Sequence, residues 1–445
     1  MLPATTPPPP ARSRSTWIAV ALLLLGHALL AAAGGPRSEP FGSLLAWSLA
    51  GAGWTIAVRA VLRGQPLPSL RVLLLVALVA RLIAFTGDPS DDLARYVWEG
   101  RVQRAGFDPY RLPPHAGELA ALAARAPEFA QINHPEWTAI YPPLTQLVQR
   151  TLVGIAPNAW SFRIAFLLAE AALVGLLIGE LRRRGQPPQR VLIYAWSPLA
   201  IFATAHEVHS DVLAALLLFA ALATLVRQRH TLAGALASCA VFAKFLPLVA
   251  APALLTEASR ASPRRPRSLV LFGAGALLAG AVLLWPFRHS GSALLSSFSR
   301  FGAELHFNDA LPSLLRGAFG LQATPWISAA LGLAAAGWIW ARTPPDAFLR
   351  AALLLAVMLL LLPTLHPWYL MLLLPFLVLF PWWGWLAFTL TSALTWLALL
   401  ELRRSGQWVE WPWLRLPEYA PLALWLSWRA ARILSRRRVS TRSAP

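Results

Sequence analysis

The chain has 445 residues, of which 57% are hydrophobic and only 13% charged, and its mean hydropathy is +0.54. A soluble domain of this length needs more charge to cover its surface, and a secretory leader does not account for apolar runs that recur from end to end. The net charge of +19 sits mainly on arginines in short gaps between those runs, a pattern of membrane orientation rather than of nucleic-acid binding.

Residues 1–15, with Pro7 to Pro10, Arg12 and Arg14, read as a disordered cytoplasmic tail. Apolar runs then follow at Trp17–Ala33, Phe41–Leu62, Leu70–Thr86, Trp160–Leu181, Val191–Ala205, Asp211–Leu225, Leu232–Phe242, Phe245–Leu255, Leu269–Phe287, Ile327–Trp340, Ala347–Leu365, Trp368–Phe380, Trp383–Leu400 and Pro421–Leu434. They predict an all-α, polytopic transmembrane bundle of about 12–14 spans, some of them only half-spanning. Leu232–Phe242 and Phe245–Leu255 read as a broken pair meeting within the membrane, which is tolerated where the backbone is buried in protein or lines a cavity. The single Cys239 builds neither a disulfide framework nor a thiolate metal site.

Most of the arginines, including Arg59, Arg63, Arg182 to Arg184, Arg227, Arg229 and those from Arg429 to Arg442, fall on one side of this topology. The positive-inside rule makes that side, with both termini, cytoplasmic. Most of the 20 Asp and Glu fall on the other side. The domain reading is a tail (1–15), a transmembrane hairpin (16–66), a catalytic transmembrane module (67–290) with a long external loop at 87–140, a C-terminal transmembrane module (291–434) and a basic tail (435–445). Tyr141–Ile155 reads as a re-entrant or interfacial helix beneath the external loop.

The most informative stretch runs from Ser90 to Arg101, where the third span leaves the membrane. Ser90 or Asp91 can cap a short helix, whose spacing puts Asp92, Arg95, Tyr96 and Glu99 on one face and Asp91 over Arg95 and Trp98. Two adjacent carboxylates at a membrane surface supply what glycosyl transfer needs: one takes the proton of an acceptor hydroxyl while the sugar gains oxocarbenium character. Gly106-Phe107-Asp108-Pro109-Tyr110 is a turn, and its aromatics with Tyr141 suit a sugar-binding shelf or, as single aromatics more commonly do, an interfacial belt. His206, Glu207, His209 and Asp211 cluster in one junction whose spacing matches no zinc signature, and they read as a substrate-contacting loop. Lys244, the only lysine, lies between two short apolar helices, where an unpaired ammonium must face a cavity or an anion; a lipid phosphate is the natural anion. His366, at a proline-broken junction, and Arg288 are further phosphate candidates.

Taken in order, the Ser-Asp-Asp-x-x-Arg-Tyr-x-Trp-x-Gly-Arg run, Asp108-Pro109-Tyr110, Ile140-Tyr141-Pro142-Pro143-Leu144-Thr145-Gln146 and His366-Pro367-Trp368-Tyr369 resemble the C-type integral-membrane glycosyltransferases. The resemblance is closest to their bacterial, mannosyltransferase-like members and extends from Leu70 to Leu400. It implies a multi-pass enzyme of the bacterial cytoplasmic membrane and a polyprenyl-phosphate sugar as donor. It further implies a hexose such as mannose passed to a lipid or glycan hydroxyl, with Asp91 or Asp92 as the catalytic carboxylate. Some relatives need a divalent ion, Mg or Mn, and others none; no cofactor is assigned. With inversion at the sugar carbon and a cation stabilising the departing phosphate, the reaction needs no nucleotide, and the chain shows no glycine-rich nucleotide loop. The alternative is a transporter or flippase of a lipid-linked sugar, which predicts functional charges spread through the membrane and paired repeats.

Overall fold

A computed structural model describes residues 14–260 and 265–442. The expected N-terminal tail therefore lies outside the described residues except for its last two positions. The expected C-terminal tail is helical as far as Arg442 and lies outside them beyond it. Among the described residues there is no β-strand, only one isolated parallel bridge between Phe307 and Thr364.

The principal helices are α1 (Arg14–Ala32), α2 (Pro40–Leu62), α3 (Leu70–Ala84), α4 (Asp92–Arg104), α5 (Pro143–Ile155), α6 (Ala159–Arg183), α7 (Asp211–Leu225), α8 (His230–Ala243), α9 (Ala251–Arg260), α10 (Arg265–Leu284), α11 (Ala293–Glu304), α12 (Ala310–Phe319), α13 (Thr324–Arg342), α14 (Ala347–Leu361), α15 (Trp383–Thr391), α16 (Leu397–Ser405) and α17 (Arg415–Arg442). Among the described residues, five stretches are long and apolar enough to cross a bilayer alone: α1, α2, α6, Pro266–Phe287 and Trp383–Ser405. The shorter apolar helices α7, α8 and α14 pack among them. Leu277, Leu278 and Val282 of α10 stand exposed on an apolar outer face, as a lipid-facing helix requires. The molecule is an all-α membrane bundle.

Small residues set a close helix crossing between α8 and α10. A Cβ added at Gly234 of α8 would collide with the carbonyl of Phe272, and one at Gly275 of α10 with that of Thr231, so the two backbones touch as small-residue membrane interfaces allow.

Three predicted spans are not continuous rods. Val191–Ala205 is cut into turns at Pro188–Val191, Leu192–Ala195, Pro198–Ile201 and Phe202–His206, all buried from Val191 onward. Pro198 disfavours helix at Ser197 and stops the chain there. Neighbouring donors take the carbonyls this frees: Trp54 Nε1 donates to Ile193 O at 3.1 Å and Arg81 Nη1 to Ala195 O at 2.7 Å. The second is Phe245–Leu255, which begins as a 3₁₀ turn at Leu246–Ala250 before α9, and the third is Trp368–Phe380, which divides into Pro367–Leu372 and Leu374–Leu379.

The junctions gather at two ends. At one, Arg184 pairs with Asp346 at 2.8 Å and Arg190 donates to Leu379 O at 3.2 Å, so the arginine-rich turns meet there. At the other, the turns at 33–39, 85–91, 206–210 and 362–367 converge around a hollow.

Candidate active site

The hollow has a volume of about 820 Å³ and is walled by side chains from residues 36–37, 91–96, 133–142, from 202, 207 and 211, and from 244–246, 298–307, 362–369 and 395–408. That is the size of a pocket for a substantial organic ligand.

Its carboxylates come from two turns that are tied together. Ser90 donates from both its backbone nitrogen and its Oγ to Glu207 O, at 3.2 and 2.9 Å. The expected capping role is thus not the one adopted: Ser90 serves the other turn, and Asp91 occupies the cap position without a side-chain cap bond. Asp91 instead accepts from Arg37 Nη2 at 2.5 Å through its Oδ1. Asp92 Oδ1 accepts from Asn133 Nδ2 at 3.4 Å, and its Oδ2 lies 3.2 Å from His209 Nδ1. The Asp91 side chain is 39% exposed and that of Asp92 19%, so both border the hollow and Asp91 is the more open.

Lys244 follows the last turn of α8 in extended backbone, so the predicted break falls there. Its ammonium pairs with Asp211, the first residue of α7, and lies 3.8 Å from the centre of the Tyr369 ring. His366 lines the same wall, its ring stacked on Trp368 with centroids 4.4 Å apart and planes 5° from parallel. Burial, helped by the charges of His209, Lys244 and Arg37, pushes its pKa down to about 3 although Asp92 pulls the other way, so His366 enters as a neutral imidazole. Tyr96 and Tyr141 meet edge to face at 5.0 Å on the floor.

Arg95 borders the hollow but is spent on architecture. Its Nε donates to Glu99 Oε1 at 2.8 Å and its two terminal nitrogens to the carbonyls of Asn133, His134, Trp137 and Thr138, which shapes the 133–138 loop. Glu99, on the face expected for it, is buried between Arg95 and Gln146.

Other expected site residues stand outside the hollow. Trp98 fills a satellite core against Phe129, with ring centroids 5.0 Å apart. Arg101 pairs with Glu128 at 2.5 Å. Tyr110 is buried against Phe287 and its hydroxyl donates to Tyr141 O at 2.7 Å. His206 faces away from the hollow, jammed against Gly87 and Gly35 and packed on Phe202. His209 sits buried behind Asp92. Arg288 is exposed, lies over Trp285 and donates to its carbonyl at 3.1 Å. Among the described residues no group of three or more His, Cys, Asp and Glu is placed to hold a metal ion.

Sequence reasoning missed Arg37 and the wall formed by α11, and it met Trp368 only as part of a motif. Arg37 carried a signal: it is an arginine on the side that most arginines avoid, directly after Gly34-Gly35-Pro36. Helix α11 also carried one, since Leu294, Leu295, Phe298 and Phe301 recur at helical spacing in what reads at first as a loop.

Residues 41–260 match the model of a family described as alpha-(1->6)-mannopyranosyltransferase, N-terminal domain. No curated protein and no solved structure matches. The matched stretch contains Asp91, Asp92, Glu207, Asp211 and Lys244, while Arg37, α11, His366 and Trp368 lie beyond its limits.

Proposed function

We propose, for a chain that belongs to the alpha-(1->6)-mannopyranosyltransferase family and is therefore a membrane glycosyltransferase, that the hollow transfers a mannose-like hexose from a polyprenyl-phosphate donor to an acceptor hydroxyl. The arginine-rich end faces the cytoplasm on this reading, and the hollow opens on the opposite face. The acceptor is a lipid or glycan. The observation that carries the proposal is the Asp91–Asp92 pair on the wall of a cavity that also holds Lys244.

The acceptor oxygen attacks the anomeric carbon from the face opposite the phosphate. As the new C–O bond forms, the acceptor's proton passes to a carboxylate of the Asp pair. The bond from the anomeric carbon to the phosphate oxygen breaks, and its electron pair leaves with the lipid phosphate. Lys244 stabilises that developing charge, exchanging its contact with Asp211 for the phosphate, and neutral His366 offers it a hydrogen bond. A prenyl phosphate is a good enough leaving group to need no strong general acid. The configuration inverts. The flippase alternative predicts charges along a path through the membrane; here the charged groups of the cavity gather at one end, and the family domain is that of a transferase.

The test uses the purified full chain in lipid nanodiscs with a panel of polyprenyl phosphosugars and a hydroxyl acceptor, reading released prenyl phosphate. Asp91→Asn and Asp92→Asn are made singly, and loss of the base lowers transfer by roughly 10²–10⁴-fold. Full activity in both variants would sink the assignment.

A further inference from the structure

The two carboxylates of the pair are held differently, and the cause of the difference is one buried imidazole. His209 is almost fully enclosed. Its Nδ1 lies 3.2 Å from Asp92 Oδ2 and its Nε2 3.5 Å from Glu207 Oε2. One ring face stacks on Trp368, with centroids 3.9 Å apart and planes 17° from parallel, and Trp368 stacks in turn on His366. The indole thus fixes the imidazole in position, and the two carboxylates flank its nitrogens at ion-pair distance without the alignment of a hydrogen bond.

The backbone that delivers it is strained. Val208 has φ +65°, the left-handed region that a β-branched side chain avoids. That turn sends Glu207 and His209 toward Asp92 and His206 away. It is held by Ser90 on Glu207 O, by Glu207 N donating to Phe202 O at 2.9 Å and by His209 N donating to Ala203 O at 2.8 Å. Strain of this kind persists where the surroundings over-determine it, and it concentrates at functional sites.

We infer that His209 is the positioning residue of the reaction: a fixed imidazolium strapped between Asp92 and Glu207, which keeps Asp92 an oriented anion and leaves Asp91 to take the acceptor's proton. The inference rests on the transferase reading above. Asp92 then faces the cationic character that develops at the sugar carbon, while the proton moves to the more exposed Asp91. Asp91 receives it once Arg37 yields its contact with Oδ1 or through the carboxylate's other oxygen.

The electrostatics agree. Burial alone would strip the proton from His209, but the flanking Asp92 and Glu207 outweigh it and lift its pKa to about 9. Burial would raise Asp92, yet His209, with Arg37 and His366, holds it well below the usual carboxylate range. Asp91 moves the other way: burial and the charges of Asp92 and Glu207 raise it against the pull of Arg37. The charged groups facing His209 are Asp92 from α4 and Glu207 from its own turn. Arg37 and His366 face the same carboxylates, and Asp211 and Lys244 neutralise each other nearby.

The test is the pH profile of transfer from a polyprenyl-phosphate mannose by the full chain in nanodiscs, for the natural protein, His209→Gln and His209→Lys. The natural protein should lose activity as pH rises through about 9, where three carboxylates are left with Arg37 alone. His209→Gln should lose that alkaline limb, shift its acid limb to higher pH and turn over about 10²-fold more slowly, with the donor KM changed by less than about threefold. His209→Lys should recover most of the rate and move the alkaline limb upward. An alkaline limb near 9 that survives in His209→Gln overturns the inference, as does a raised KM with kcat intact. So does a natural profile flat to pH 10, which needs no variant to fold. No transfer from any donor by the natural protein instead overturns the transferase reading itself.

Discussion

Two buried charge systems lie in this bundle, and they are built to different rules. In the interior, Arg81 of α3 donates through Nε and Nη2 to the two oxygens of Glu170 on α6, each at 2.6 Å, and through Nη1 to Ala195 O and Ala77 O. The two side chains are 3% and 1% exposed. Nothing is left for a ligand to bind, and the pair ties α3 and α6 to the broken segment after Val191. At the mouth, Lys244 has a single carboxylate partner and keeps 21% of its side chain open to the hollow, and Asp91 is more open still. A charge whose hydrogen bonds are all made by protein is architecture; a charge left partly open on a cavity wall is free to meet a ligand.

The largest expected effect tests the first half of that contrast. Arg81→Leu leaves Glu170 buried and uncompensated and should cost about 3–5 kcal/mol of stability, read as a fall in unfolding temperature and in yield of folded protein. The double variant Arg81→Leu/Glu170→Leu should recover much of the loss, and its folded fraction should transfer sugar at the natural rate. An Arg81→Leu protein as stable as the natural one would erase the distinction between the two regions.

Next in size is Lys244→Gln. On the proposed function this removes a charge-assisted bond to the donor phosphate, and it should raise the donor KM by about 10–100-fold while the unfolding temperature changes little, because the amide can still face Asp211. A fall in stability like that of Arg81→Leu would place Lys244 with the architecture instead.

The same contrast explains what the sequence could tell. Helix α2 and helix α7 start and stop where hydropathy places them, and the break after α8 is where Lys244 interrupts an apolar run. These features are local. The Arg95–Glu99 pair was legible from i,i+4 spacing, but not its use, because the carbonyls that claim Arg95 lie about forty positions onward in the chain. Val191–Ala205 read as a span because apolar composition is the same in a rod and in a chain of turns, and the donors that make the turns affordable, Trp54 and Arg81, come from other helices. Arg37 went unseen for the same reason: its partner Asp91 is 54 residues away, beyond helices α2 and α3. Tertiary partners decided each case that periodicity left open.

A smaller effect belongs to His209. Its pKa is raised from 6.5 to about 9, so the stability it contributes is fully present below pH 6.5 and is lost as pH rises through 9. The natural protein's unfolding temperature should therefore decline across that window, and that of His209→Gln should decline less. Parallel declines in the two proteins would show that the imidazole carries no charge at neutral pH.

The smallest effect expected is at Arg288, and it sharpens the comparison from the other side. The sequence offers both Arg288 and Lys244 as phosphate candidates, both cations beside a span, with Lys244 the stronger because it lies between two short apolar helices. The structure gives them different company. Lys244 faces carboxylate, aromatic ring and cavity at once, whereas Arg288 lies exposed over Trp285, outside the hollow. An exposed cation of that kind contributes little, so Arg288→Ala should leave unfolding temperature and donor KM within measurement error. A donor KM raised as far as in Lys244→Gln would mean that the lipid phosphate is gripped outside the hollow. Half-exposure on the cavity wall would then no longer be the feature that separates a working charge from an idle one.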